Sequence, residues 1–314
     1  LKIFDQEVLA EIALSPWRED QVWEIRAHDL VSGVAYDQTI LGDEEGCALG
    51  MKSSKSSSTK LDSGDEFYFY ANPWGGSALD EKNGIYFVVT GNPKPTSLGI
   101  ERPGENKNAN SIIAFDLNKR KILWTFQDVI HDLWDFDISA PPILADIIIK
   151  NFIIQVVIVT TKTGNTYVFE RTTGKSLFDI NYRNTKFSNI PNEFVAPKQP
   201  EPLKPEKFSK IEFKKNDLRD ELLNNQKFMN YFEENHVYSW FQPPRIGKDI
   251  VFYGLKGGNN WWGSAYNPET QNIYIPSNHI PYKTRTFVKS NEKRSSHKDL
   301  KYYSIIYEIY IVVY

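Results

Sequence analysis

Apolar residues along the chain fall in short runs separated by polar turns, and few of these runs carry a helical period. Three segments align without gaps: Ala27-His28-Asp29-Leu30-Val31-Ser32-Gly33, Ala114-Phe115-Asp116-Leu117-Asn118-Lys119-Arg120 and Val168-Phe169-Glu170-Arg171-Thr172-Thr173-Gly174. Each reads as a strand end, a tight polar turn and a returning strand, with Lys121 and Lys175 leading into the next apolar run. Arg120 stands where the other two have glycine, which predicts a less ideal turn. A second repeat interleaves with the first. Trp74-Gly75-Gly76-Ser77-Ala78-Leu79-Asp80 precedes the run Ile85 to Val89, and Trp261-Trp262-Gly263-Ser264-Ala265-Tyr266-Asn267 precedes Ile273-Tyr274-Ile275. Both are strand, turn, strand. About 54 residues separate Asp116 from Glu170, near the roughly 40–50 of one four-stranded propeller blade. The pattern predicts an all-β fold with radially repeated sheets, not a sandwich.

Two stretches break the repeat. Residues 183–247 are rich in Pro and Lys and read as a long irregular insertion over one face of the propeller, with a short helix at Leu218 to Phe232. Residues 35–70 are equally irregular, with a Ser/Lys patch at Lys52 to Lys60. The run from Tyr302 to Tyr314 is apolar but short, and Glu308 interrupts it, so it reads as a strand and not as a membrane span. The organisation expected is a single partial β-propeller over 1–314 carrying that insertion.

Composition alters this picture little. Of the 314 residues, 14% are aromatic, including 8 Trp, which suits the pleated surface of strands. A net charge of −3 gives no electrostatic case for nucleic acid as a partner. The Lys-rich stretches Lys52 to Lys60 and Lys204 to Lys215 read as solvated loops. With Cys47 as the one cysteine, no intrachain disulfide forms, and the compartment stays open. The chain begins at Leu1, which reads as a removed signal or as a fragment.

Four strings carry chemistry: Trp74-Gly75-Gly76, Thr90-Gly91-Asn92-Pro93, Arg102-Pro103-Gly104-Glu105-Asn106-Lys107 and His131-Asp132-Leu133-Trp134-Asp135. Further strings follow at Thr161-Lys162-Thr163-Gly164, Gly257-Gly258-Asn259-Asn260-Trp261 and Ser277-Asn278. In order and spacing they resemble the pyrroloquinoline-quinone (PQQ) dehydrogenases, particularly the glucose-dehydrogenase-like branch. The resemblance runs over Ile25 to Gly33 and Asn72 to Tyr282. It implies a β-propeller of the quinoprotein alcohol dehydrogenase type, eight-bladed in the family and incomplete here. It also implies oxidation of an alcohol or sugar by hydride transfer to PQQ with calcium bound. Electrons would pass on to a membrane quinone or a cytochrome, and the compartment would be the periplasm.

The resemblance assigns roles residue by residue. Asp135 matches the general base that takes the substrate hydroxyl proton. Read alone, it is an Asp in a loop satisfying a backbone N–H. Asn92 matches a calcium ligand, since a hard cation takes amide oxygens, although an Asn before proline is also an ordinary turn element. Trp74 matches the aromatic floor under the planar cofactor, or a structural Trp between blades. Lys162 matches the cation at the reactive quinone oxygens, where it stabilises developing negative charge. Asn260 and Asn278 match groups that bind the cofactor's edge.

Two departures accompany these matches. The upstream stretch Leu14 to Asp20 offers no convincing second calcium ligand, and Glu19 and Asp20 stay unassigned. The paired cysteines of the methanol-dehydrogenase-like branch are absent. Rival readings are a non-catalytic propeller scaffold and an inactive fragment of a quinoprotein. A hydrolase built on Asp132 and Asp135 is weaker, because both lie in one local string with no partner across a cleft.

Overall fold

In a computed structural model of the chain, residues 73–93, 96–100, 102–236 and 240–286 are described in full, and elsewhere the backbone of several strands. The first four strands, β1 (Lys2–Ile3), β2 (Gln6–Ile12), β3 (Ile25–Asp29) and β4 (Ala35–Tyr36), form one antiparallel sheet in chain order. The first sequence repeat thus enters a hairpin, with Ala27 paired to Tyr36. Two short strands, β5 (Thr59–Lys60) and β6 (Glu66–Phe67), pair within the stretch read as irregular. The stretch Leu14 to Asp20, Cys47 and the patch at Lys52 to Ser58 lie outside the described residues.

A complete blade follows. Strands β7 (Ser77–Asp80), β8 (Ile85–Val89), β9 (Ser111–Asp116) and β10 (Lys121–Gln127) form an antiparallel meander. Its outer turn bears out the reading of Arg120, which adopts φ +50° where the matching Gly174 has φ +69°. Asp116 holds that turn by accepting hydrogen bonds from the backbone N–H groups of Asn118 and Lys119 at 3.0 and 2.9 Å. The next sheet contains β11 (Ile143–Ile149), β12 (Phe152–Thr160) and β13 (Thr166–Glu170). A bridge from Phe169 to Ser176 and the Leu177 N–H on the Val168 carbonyl begin a fourth strand.

Side-chain alternation along β12 explains why these sheets stack face to face. Val157 and Val159 point into a core shared with Phe87, Val89, Ile112 and Ala114 of the preceding blade. Val156 and Ile158 point the other way, into a core with Ala145, Tyr266 and Ile273. A strand buried on both faces reads as an unbroken apolar run, as Phe152 to Val159 largely does. Trp124 closes the first core, with ring centroids 5.9 Å from Phe87 and 5.5 Å from Phe169 and its indole N–H on the Arg171 carbonyl.

The β11–β12 hairpin continues past the point where β13 stops pairing, at Val156. Lys150 and Asn151, both at positive φ, make its two-residue turn. Around that turn Ile148, Ile149, Phe152 and Ile153 are 56, 40, 74 and 71% exposed.

The segment read as an insertion is more ordered than its composition suggests. Strands β14 (Ile180–Asn184) and β15 (Lys198–Pro202) pair antiparallel. The single helix expected at Leu218 to Phe232 is two, α1 (Asp220–Leu223) and α2 (Gln226–Asn235). Asn225 breaks it: its backbone is extended and its side chain caps α2 by accepting the Phe228 N–H at 3.0 Å. Met229 and Phe232 then pack against Phe213, Leu218 and, from β16 (Asp249–Tyr253), Val251 and Tyr253. Strands β17 (Ala265–Asn267) and β18 (Asn272–Tyr274) form the hairpin expected after Trp261-Trp262. Strand β19 (Pro281–Lys289) pairs with both β16 and β20 (Tyr302–Ile309), the last lying in the terminal apolar run. The fold is an all-β propeller type whose sheets, among the described residues, do not close into a ring.

Candidate active site

Antiparallel order brings several loops to one end of the sheets. Trp74 precedes β7, Asn92 follows β8, Asp135 lies between β10 and β11, and Lys162 lies between β12 and β13. Lys162 is the centre. Its Nζ is 3.6 Å from Asp135 Oδ2, 3.5 Å from Asp137 Oδ2 and 2.9 Å from the Asp135 carbonyl, and lies 5.8 Å from the Trp74 ring centroid. Burial works against its charge, but Asp137, Asp135 and Asp132 outweigh that and raise its pKa. Lys162 is therefore a buried ammonium.

The turn that presents Lys162 is pinned from below by Asp128. This fully buried carboxylate accepts hydrogen bonds from Tyr167 Oη at 2.7 Å, Asn165 Nδ2 at 3.2 Å and Thr163 Oγ1 at 3.2 Å. Burial pushes its pKa up, while the hydrogen bonds from Tyr167 and Asn165 pull against that rise. From the other side, Gly258 donates its N–H to the Lys162 carbonyl at 2.9 Å.

Asp135 sits at φ +63° and keeps its side chain 30% exposed. A non-glycine residue there carries about 1–2 kcal/mol of backbone strain, so its surroundings must hold it. Asp132 supplies that hold. It accepts the N–H groups of Trp134 and Phe136 at 2.7 and 2.6 Å, and Asn110 Nδ2 at 2.8 Å. Burial pushes the Asp132 carboxyl up to about 7. Asp132 thus shapes the loop and does not face the opening, which removes the basis for a paired-carboxylate hydrolase.

The Arg102 and His131 strings are also framework. Arg102, buried, donates to Asn106 Oδ1 at 2.6 Å, to the Thr96 carbonyl at 3.3 Å and to the Asp132 carbonyl. Burial pulls its pKa down to about 10, against the pull of Asp132 and Glu193. His131 meets the Gly104 carbonyl at 2.5 Å and Glu193 at 3.5 Å, and burial depresses its pKa. Glu193 also accepts the Gly99 N–H, and so ties the inserted segment to the loop after Asn92.

Asn92 donates its Nδ2 to the Thr96 carbonyl at 2.8 Å, which fixes the amide orientation. Its Oδ1 is then buried without a hydrogen-bond donor. Such an orphaned oxygen costs about 1–3 kcal/mol unless something else meets it. A hard cation is one such partner. The orphan therefore fits a calcium ligand, although among the described residues no three His, Cys, Asp or Glu side chains gather as a protein-only site.

Trp74 is 40% exposed and lies against Gly91, where an added Cβ would come 2.6 Å from its Nε1. Only glycine lets the indole approach so closely. Asn260 and Asn278 are placed differently. Their Nδ2 groups converge on the Lys256 carbonyl, at 2.6 and 3.1 Å, and their Oδ1 atoms accept the N–H groups of Trp261 and Ile280. Both side chains are engaged in their own loop, which reaches Lys162 through backbone contacts.

Asp137 was missed by reasoning from the sequence. It accepts the Asn92 N–H at 2.5 Å and faces Lys162. Burial pushes its carboxyl up to about 6, with Lys162 pulling down and Asp135 pushing up. Its alternation with Asp135 across Phe136 was the available signal, but nothing local said that the loop would turn it inward.

Comparison with known proteins identifies the family. The model of the family described as PQQ: glucose/ethanol/alcohol dehydrogenase, β-propeller domain, matches residues 24–308. The quinoprotein glucose dehydrogenase of Escherichia coli (strain K12) is 28% identical over 208 residues, covering 64% of this chain and 25% of the relative. Quinoprotein glucose dehydrogenase A of Acinetobacter calcoaceticus is 29% identical over 234 residues, covering 68% and 28%. The chain thus spans about a quarter of the length of these relatives. Among solved structures, a quinohemoprotein alcohol dehydrogenase from Pseudomonas putida HK5 superposes with TM-score 0.53 at 18% identity, over 89% of this chain and 36% of that one, which supports the fold. The extent of the family match, on a chain whose blades and loops are those just described, makes this chain a member of the PQQ-dependent glucose/ethanol/alcohol dehydrogenase β-propeller family.

Proposed function

We propose that this chain forms the cofactor-binding part of a PQQ- and calcium-dependent dehydrogenase that oxidises an alcohol or a sugar. The single observation that carries the reading is the buried Lys162 ammonium, set between two carboxylates beside the Trp74 ring. When bound, PQQ would supply the hydride-accepting quinone and calcium the Lewis acid that polarises it. Asn92 would offer its orphaned Oδ1 to the cation, with further oxygens from the cofactor or from residues outside the described set. Trp74 would hold the planar ring from one side.

Asp135 takes the substrate hydroxyl proton on its carboxylate, which its partial exposure leaves reachable. Lys162 sits next to that base, and its ammonium would stabilise the negative charge that develops on a quinone oxygen. The two relatives are glucose dehydrogenases by name, which supports a sugar as substrate. Transfer of electrons to a membrane quinone or a cytochrome, and a periplasmic location, belong to the same proposal. No helix among the described residues is long and apolar enough to cross a membrane.

The test is a titration of the full chain with PQQ and calcium, read by absorbance and followed by dye-linked activity on alcohols and sugars. Calcium-dependent binding with turnover is the expected result. Absence of binding would overturn the reading, and binding without turnover would remove its catalytic half.

A further inference from the structure

One buried carboxylate beside Lys162 has no step of its own in the chemistry described above. Asp137 is 7% exposed, yet it touches two groups of the site. Its Oδ1 accepts the Asn92 backbone N–H at 2.5 Å, and its Oδ2 lies 3.5 Å from Lys162 Nζ. Both its carboxyl carbon and the Trp74 indole edge border Gly91, at 3.4 and 2.6 Å from the point a Cβ there would occupy.

We infer that Asp137 is a positioning residue, a two-sided clamp that sets the Lys162 ammonium and the Asn92 amide at a fixed separation on one side of the site. The inference rests on the PQQ reading, because Lys162 and Asn92 have cofactor-directed tasks only there.

The neighbouring acids are committed elsewhere. Asp132 spends both oxygens on two backbone N–H donors of its own loop and on Asn110 Nδ2 from the loop before β9. Asp135 is the partly exposed carboxylate that must be free to take a proton, and it meets Lys162 through its backbone carbonyl at 2.9 Å and its Oδ2 at 3.6 Å. A lysine has a long flexible stem and a point charge, so it holds one place only when fixed partners surround it. Asp137 is such a partner, buried and itself fixed by the Asn92 N–H. Among the carboxylates that face Lys162, it is also the largest contributor to keeping the lysine charged, ahead of Asp135 and Asp132. Partners that orient the groups touching a metal or cofactor commonly change affinity 10–100-fold when removed.

The test uses the full chain with Asp137→Asn, which keeps shape and can still accept from Asn92, and Asp137→Ala, which removes both contacts. In ligand-free protein with lysine labelled at ¹³Cε, the Lys162 signal is identified by its loss in Lys162→Met. In wild type it should be distinct and immobile, and in both Asp137 variants it should move to the shift and mobility of exposed lysines. With calcium present, PQQ affinity read by tryptophan quenching should fall about 10-fold in Asp137→Asn and further, toward 100-fold, in Asp137→Ala. The double variant Asp137→Asn/Lys162→Met should bind no more weakly than Lys162→Met alone.

An unchanged Lys162 signal, or fully additive losses in the double variant, would overturn the clamp. If the signal collapses as expected while wild type fails to bind PQQ, the clamp stands and the cofactor reading falls. If wild type binds PQQ and Asp137→Asn matches it in both measurements, the reverse holds. Thermal transitions of the variants separate either result from general unfolding.

Discussion

Gly91→Ala separates a structural Trp74 from a functional one. Gly91 is not at positive φ, so alanine adopts its backbone without strain. Loss of unfolded-state freedom even favours the variant by about 0.4–1 kcal/mol. The new Cβ would lie 2.6 Å from Trp74 Nε1, 3.0 Å from its Cδ1 and 3.4 Å from Asp137 Cγ. Ordinary carbon contacts need about 3.5 Å, so the indole must retreat by about 1 Å. Because Trp74 is 40% exposed, it can retreat toward solvent without disturbing the core. The fold should therefore change by less than about 1 kcal/mol, or roughly 2–4 °C in thermal midpoint. The cofactor platform should suffer more. A ring-on-ring contact contributes about 0.5–1.5 kcal/mol beyond its buried area, and loss of about 1.4 kcal/mol is tenfold in affinity. A fluorescence titration with PQQ in calcium buffer, paired with a calorimetric melt, reads both quantities. Undiminished affinity would show that Trp74 is not the floor. A midpoint lowered by much more than about 4 °C would make it a wedge between blades instead.

Other perturbations address other links. Asp135→Asn should lower turnover by at least about 100-fold while PQQ affinity stays near wild type, because general bases contribute about 10²–10⁴-fold; single-turnover kinetics that match wild type would refute the base assignment. Arg171→Met should destabilise the chain by about 3–5 kcal/mol in urea, since it strands the buried Asp80, 3.2 Å from Arg171, without a cation and frees the Val156 and Ala145 carbonyls. An unshifted urea midpoint would mean that this contact between the two blades carries no load. His236, stacked on Phe232 at 4.6 Å, has its pKa pushed down by burial to about 4. Its folded value lies below the unfolded one near 6.5, so the neutral ring's contribution is complete above that pH and is lost as pH falls toward 4, by about 2–3 kcal/mol. Wild type should therefore lose stability relative to His236→Phe between pH 7.5 and pH 4, and a pH-independent difference would contradict the sign.

What the sequence revealed and what it hid divide along contact distance. The hairpins after Asp116 and Glu170 and those around Ser77 and Ala265 were legible because strand alternation and turn residues act between near neighbours. Even the less ideal turn at Arg120 could be read, from the glycine at the matching place. The α1–α2 break was not, because a helical pattern through Leu218 to Phe232 competes with a cap at Asn225 that only tertiary packing selects. Asp137 was hidden for a similar reason: its partners Asn92 and Lys162 lie 45 and 25 residues away. Asn260 and Asn278 were picked out by their strings, yet the fold engages their amides on Lys256, which no spacing foretold.

The β11–β12 hairpin tip bears on how the chain survives its own folding. From Ile147 to Gln155 the sequence is Ile, Ile, Ile, Lys, Asn, Phe, Ile, Ile, Gln, with high strand propensity, one charge and no proline. Segments of this kind template intermolecular β-pairing while they are unpaired. In the folded chain the ladder from Ile143–Ile158 to Ile149–Phe152 satisfies the backbone between its own two strands, yet leaves the outer side chains uncovered. Lys150, at the turn, is the single gatekeeper charge in that stretch. Recovery of native protein on refolding therefore depends on concentration through this hairpin more than through the polar turns at Asn118 or Thr172, and a second charge near Phe152 is where solubility can be gained without touching the end of the sheets that holds Lys162.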